Sequence, residues 1–190
     1  MTKGARLHAV VVRAAKPYWT HLPASGDGAA KHGGRFNPIG VPALYTSFSF
    51  NTAAKEVRFS LNADPYTFYF LEVDSEHIVD LSDAKVRKAL KVDWSELESP
   101  NWESDMHKGV EPASHRLARR LIKEGYTGII VPSFAKGAIS DDLNLVLWVW
   151  EDATGATPKT ESHVRVLKRD ELPSDASSWR RKKPKERRKR

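Results

Sequence analysis

The sequence predicts an α+β fold in a single domain. Segments that read as strands outnumber those that read as helices, which argues against a doubly wound parallel sheet. A 40% hydrophobic content with 6 Trp, 5 Tyr and 7 Phe among 190 residues is enough for a sizeable core. The length suits one domain carrying an extension.

Residues 7–13 (LHAVVVR) are short and β-branched, the pattern of a strand. A Gly-, Ala- and Pro-rich loop follows over residues 16–42, longer than a mere spacer needs to be. Residues 43–47 (ALYTS) read as a strand and 51–62 (NTAAKEVRFSLN) as a helix capped by Ser49 or Asn51. Residues 67–73 (TFYFLEV) form an aromatic-rich strand. The polar stretch 82–112 predicts a short helix over 83–91 and an irregular segment around Trp94 and Trp102. Pro112 opens a helix over 113–124, whose Leu117, Ala118, Leu121 and Ile122 make one apolar stripe, and Gly125 stops it. Strands are expected at 126–131, 143–150 and 163–168, with a low-complexity tail from about Ser174.

The net charge of +7 suggests a nucleic-acid binder at first sight. Residues 180–190 (RRKKPKERRKR) hold nine bases and one acid, a net +8, which leaves residues 1–179 at −1. Basicity is therefore a property of the tail. Nine bases there would neutralise several phosphates, but no aromatic interrupts the run to stack on bases, and Trp179 is only adjacent. A disordered, solubilising or partner-docking extension is the expected reading.

With no cysteine, the chain has no disulfide, thiolate metal site or cysteine nucleophile, which fits a cytoplasmic protein. No apolar run approaches the roughly 20 residues of a membrane helix, and no signal peptide is read. The glycines of residues 26–34 match neither a P-loop nor a dinucleotide fingerprint. The seven histidines show no HxH or HExxH spacing, so no metal is expected, and there is no GxSxG elbow.

One constellation remains. On a helical wheel over 51–62, Lys55, Arg58 and Asn62 share a wet face, while Glu56 projects from the inward arc between Phe59 and Ala53. An inward carboxylate needs a partner, so Glu56 is either half of a structural ion pair or a functional group. Arg35, in GGRFN, is the candidate partner. Gly33 and Gly34 there either form a plain turn or let the backbone approach a ligand, where the guanidinium would fork onto a carboxylate or phosphate. Tyr45 is a core strand residue or a ring that stacks on a flat ligand. Ser133 follows a strand-ending Pro132, and Asn144 is a lone polar residue in LNLVLWVW.

Together these residues resemble the RES domain family. Residues 33–57 (GGRFNPIGVPALYTSFSFNTAAKEV) are similar to the family block GGRWN-P-G-x-P-x-x-Y-x-S…A-x-x-E, with Phe36 in place of the commoner Trp. GIIVPS (128–133) and NLVLW (144–148) match later, shorter motifs in order, so the resemblance spans roughly residues 6–170. The tail has no counterpart, which divides the chain into a domain over 1–173 and a tail over 174–190.

The resemblance implies an ADP-ribosyltransferase-like, mainly antiparallel β core with flanking helices. It implies a toxin that consumes NAD⁺ as its substrate, by phosphorolysis or hydrolysis, or that transfers ADP-ribose to a target protein. Carried over, Arg35, Tyr45 and Glu56 are the central trio, with Gly34, Ser133 and Asn144 among the NAD⁺ contacts. Nicotinamide leaves as a neutral ring, so one carboxylate suffices where ordinary glycosidases need two. The implied partner is a cognate antitoxin of the Xre/MbcA/ParS type. The competing readings are a nucleic-acid-binding module acting through the tail and an inactive scaffold that only binds a partner.

Overall fold

Alternation of side chains along a long strand organises the molecule. In the computed structural model, which describes residues 4–58, 65–172 and 174–175, β3 (Thr67–Asp80) buries Tyr69, Leu71, Val73 and Ser75 on one face and turns Phe70 outward. β1 (Ala5–Ala15) runs antiparallel to it in near-continuous register, from Leu7 opposite Ser75 to Ala15 opposite Thr67. A bulge where Ala5 pairs with Ile78, with His77 at a φ of 60°, bends β3 so that its last residues change partner. Ile78, Val79 and Asp80 pair in parallel with β4 (Gly128–Pro132).

β4 pairs antiparallel with β5 (Leu143–Leu147), and β5 with β2 (Leu44–Ser47). β2 meets β1 again at Ser47 opposite Val12, so the ladder returns on itself. Beyond β3 lie β7 (His163–Val166), antiparallel to it, and the two-residue β6 (Glu151–Asp152), parallel to β7. The mixed, mainly antiparallel sheet with flanking helices bears out the α+β expectation.

Two apolar clusters cover the two faces of the sheet. β5 lies between them, which is why Leu145, Val146 and Leu147 are all buried despite the two-residue period. On one side α6 (Ala113–Lys123) presses Leu117, Ala118 and Leu121 onto Val79, Leu81, Ile129 and Val131, and Gly125 at a φ of 88° ends it as expected. On the other side Val11, Leu71, Val73, Leu145, Leu147 and Val164 pack together.

Several elements differ from the sequence reading. The 16–42 loop contains a 3-10 turn (Pro17–Trp19) and a short helix α1 (Asp27–His32). α2 (Phe50–Glu56) is shorter than the expected 51–62. Ser49 rather than Asn51 caps it, its Oγ accepting from Thr52 N at 3.0 Å, and residues 59–64 lie outside the described residues. The 82–112 stretch is not irregular around its tryptophans. It forms α3 (Ala84–Ala89), α4 (Trp94–Leu97) and α5 (Trp102–His107), with Asp83 and Asp93 as side-chain caps of the first two. The basic run of residues 180–190 also lies outside the described residues. Among the described residues, no helix is long and apolar enough to cross a membrane, and no group of three or more His, Asp or Glu is placed to hold a metal ion.

Candidate functional site

Antiparallel pairing brings three strand ends together. β2 ends at Ser47 and β5 begins at Leu143, so Ser47 and Asn144 are register partners; Val131 of β4 faces the same Asn144. Ser133 follows directly, its N–H donating to the Asp142 carbonyl at 2.7 Å. α2 starts two residues after β2 and places Glu56, its last residue, over this junction.

Ser133 Oγ donates to Glu56 Oε1 at 2.6 Å, and Asn144 Nδ2 donates to the same oxygen at 2.5 Å. Ser47 Oγ donates to Asn144 Oδ1 at 2.7 Å, which fixes the orientation of the amide. Both bonds therefore fall on one carboxylate oxygen, and Oε2 has no partner among the described residues. Glu56 stands at the exposed mouth of a cavity rather than in the core. The inward burial expected from the helical wheel is not what the structure shows, and the ion pair with Arg35 does not form.

Arg35 is held elsewhere. Its Nη1 donates to the carbonyls of Leu97 and Ser99 at 2.9 and 3.0 Å, and its guanidinium lies 4.4 Å from the ring centre of Phe134 and 5.6 Å from that of Trp102. Burial lowers its pKa from the ordinary value, and the charge of Glu56 opposes that shift. The stretch from α4 to α5 thus forms the wall that aims Arg35.

Tyr45 buttresses the same loop. Its hydroxyl accepts from Phe36 N at 2.9 Å and donates to Asn37 Oδ1 at 2.7 Å, and burial raises its pKa. Asn37, fully buried, donates to the carbonyls of Ala29 and Val41 at 2.9 and 2.8 Å. His115 Nε2 donates to the Gly34 carbonyl at 2.8 Å, and Trp148 Nε1 to that of Phe36 at 2.8 Å. Every one of these bonds satisfies loop backbone or the side chain that carries it. Gly34 is required here by close approach: a Cβ would lie 2.5 Å from the Tyr45 hydroxyl oxygen.

Gly34, Arg35, Tyr45 and Glu56 line one open cavity of about 490 Å³, together with Lys55, Arg58, Trp102, Phe134 and Lys136. Asn144 and Ser47 line an adjoining, smaller recess of about 140 Å³ that Tyr45 and Glu56 share. Ser133 reaches the site through its bond to Glu56. All six residues singled out in the sequence belong to this one locality.

Sequence reasoning missed several others. Ser47 was visible in the Y-x-S spacing, but nothing local revealed its bond to Asn144. Asn37 was visible in GGRFN but not its bonds to Tyr45, Ala29 and Val41, and His115, Trp102 and Phe134 gave no signal of a link to the glycine loop or to Arg35. Lys55, expected on a wet face, instead meets Asp142 Oδ2 at 2.6 Å, and Thr52 Oγ1 donates to Asp142 Oδ1 at 2.7 Å.

These bonds, led by Lys55 and joined by Ile139 N–H and Thr52, depress the Asp142 pKa to about 2. A depressed carboxylate stabilises the fold fully above its unfolded value near 4 and loses that contribution as pH falls through the folded value. Asp142→Asn is accordingly expected to lower Tm near neutral pH, with the gap from wild type closing between about pH 4 and pH 2. A gap independent of pH would show that the charge is not what matters.

The family model for the RES domain matches residues 10–169 of the chain. No curated protein matches it.

Proposed function

The chain belongs to the RES domain family, and from that premise we propose that it cleaves the nicotinamide–ribose bond of NAD⁺ with phosphate or water as acceptor. At the family level a RES domain is an NAD-acting, toxin-type domain of a toxin–antitoxin system, which implies an antitoxin partner. The observation that carries the finer reading is the Glu56 carboxylate, pinned at Oε1 by Ser133 and Asn144 on the wall of a cavity rimmed by Arg35, Arg58 and Lys136.

The chemistry follows from the charges. The bond between ribose C1′ and the pyridinium nitrogen breaks with its electron pair going to nicotinamide, which leaves neutral and needs no general acid. Positive charge grows on the sugar as it departs, and a fixed carboxylate stabilises that charge more in the transition state than in the ground state. Glu56 Oε2 would accept from a ribose hydroxyl and hold the ring beside this charge. A phosphate oxygen or water then bonds to C1′, and in the water case the proton goes to solvent.

Arg35 would grip the pyrophosphate, its guanidinium already oriented by two carbonyls and a ring, so little entropy is lost on binding. Tyr45, with its hydroxyl committed to Phe36 and Asn37, would contribute its ring and the shape of the glycine loop rather than a proton. Gly34 would let the ligand approach the backbone. The mainly antiparallel sheet supports an ADP-ribosyltransferase-like relationship.

The direct test is nicotinamide release from NAD⁺ by purified protein, in water, with phosphate and with a cell lysate. Phosphate-dependent release identifies phosphorolysis. A labelled protein band in the lysate would identify transfer to a protein, the alternative reading. No release under any condition refutes NAD⁺ cleavage.

The exposed cations supply a second test. Arg58 and Lys136 have no ion pair among the described residues and face an anionic substrate across the cavity. Arg58→Ala with Lys136→Ala is expected to raise KM for NAD⁺ roughly three- to tenfold at low salt, about 0.7–1.4 kcal/mol, with a smaller effect at high salt. An unchanged KM at low salt removes them from the binding site.

The antitoxin would be a helical protein of the Xre/MbcA/ParS type that covers the cavity mouth. Nicotinamide release should then stop on its addition.

A further inference from the structure

Asp141 and Asp142 stand together in the loop between β4 and β5. The structure separates them. Asp141 is exposed, whereas Asp142 is 6% exposed and its carboxylate is fully engaged. Oδ1 accepts from Thr52 Oγ1 at 2.7 Å; Oδ2 accepts from Lys55 Nζ at 2.6 Å and from Ile139 N at 2.8 Å. Burying an ion this deeply is unfavourable unless its lone pairs are met, and here three donors meet them.

The donors come from two different pieces of chain. Thr52 and Lys55 are three apart and share one face of α2; Thr52 is one turn before Glu56 and Lys55 is its immediate neighbour. Ile139 belongs to the loop that begins at Ser133. The backbone of Asp142 reinforces this, since its carbonyl accepts from Ser133 N at 2.7 Å and its N–H donates to Ile139 O at 3.0 Å. One residue thus ties the helix carrying Glu56 to the loop carrying Ser133, two positions before Asn144. Seven residues are too few for α2 to hold its place by helical hydrogen bonds alone.

We infer that Asp142 is a positioning residue, locking α2 to the 133–142 loop so that Glu56, Ser133 and Asn144 meet at one carboxylate oxygen. It touches no substrate. This rests on the NAD⁺-cleavage reading for its kinetic consequence. The stake is large because a displacement of about 1 Å in a catalytic group can cost on the order of 10²-fold in rate.

The experiment uses the full chain and measures kcat and KM for NAD⁺, with Tm and amide hydrogen exchange for each variant. Asp142→Asn is expected to lower kcat roughly 10- to 100-fold while KM changes less than about threefold. Thr52→Val, which removes one of the three donors, should lower kcat in the same sense. Thr52→Ser, which keeps the hydroxyl, should restore it. The combination of Asp142→Asn with Thr52→Val should cost less than the product of the two.

A lowered Tm with kcat intact in Asp142→Asn would make the residue merely structural and overturn the proposal, as would equal rates in Thr52→Ser and Thr52→Val. If Asp142→Asn does not fold, the Thr52 pair decides. If wild-type protein releases no nicotinamide, it is the NAD⁺ reading that fails, and exchange judges the lock. Faster exchange in 50–57 and 133–142 together then supports it, and acceleration in one segment or neither overturns it.

Discussion

Glu56→Gln should lower nicotinamide release by on the order of 10²–10³-fold while leaving the fold unchanged. The amide oxygen of Gln can still accept from Ser133 and Asn144, so the variant removes charge and keeps shape. On the proposed mechanism, what disappears is the carboxylate that would stand beside the developing positive charge on ribose. The loss should fall on kcat, because the charge is present only in the transition state. Tm should stay within the ~0.5 kcal/mol expected of an exposed position. A Gln variant that releases nicotinamide at the wild-type rate would remove Glu56 from the chemistry.

Gly34→Ala should be the most damaging of the conservative changes. The added methyl would lie 2.5 Å from the Tyr45 hydroxyl oxygen and 2.7 Å from Asn37 Oδ1, both fixed by other bonds. Overpacking of this kind costs about 1–3 kcal/mol, with each kcal/mol lowering Tm by roughly 2–4 °C in a domain of this size. The strain reaches Arg35, the next residue, so activity should fall as well. Gly28→Ala is the control, since a Cβ there meets nothing within 4 Å and lies in a helix that Ala favours. Equal Tm for the two variants would contradict the close packing of Gly34 on Tyr45.

Much of this fold follows from local pattern. The β-branched run before Arg13 and the aromatic-rich run of β3 have strand composition, and the apolar stripe of α6 carries a helical period. α4 and α5 escaped because four or six residues contain too little of a period to be seen. β6 is two residues long and is defined only by its partner β7. The return of the ladder from β2 to β1 depends on one pair of residues 35 positions apart, Val12 and Ser47.

The site divides the same way. Arg35, Tyr45 and Glu56 were each ambiguous alone and became specific only as a spaced block. The block did not reveal that Arg35 is tied to Leu97 and Ser99, more than sixty residues away, rather than to Glu56. Nor did it reveal Asp142, whose partners Thr52 and Lys55 are about ninety residues upstream. Amphipathic period identifies which side of a helix is wet; it does not identify a lysine recruited from that side by a buried acid.

The wall that holds Arg35 has a consequence of its own. α4 and α5 contain four and six residues, well short of the ~12–15 at which a helix persists in isolation. Their order depends on what they grip, and one of the things they grip is the guanidinium. An anion that binds Arg35 in the orientation this segment imposes stabilises the segment in return. By reciprocity, anything that steadies the segment tightens the anion. Affinity for the ligand and local folding of one wall are thus two readings of a single free energy.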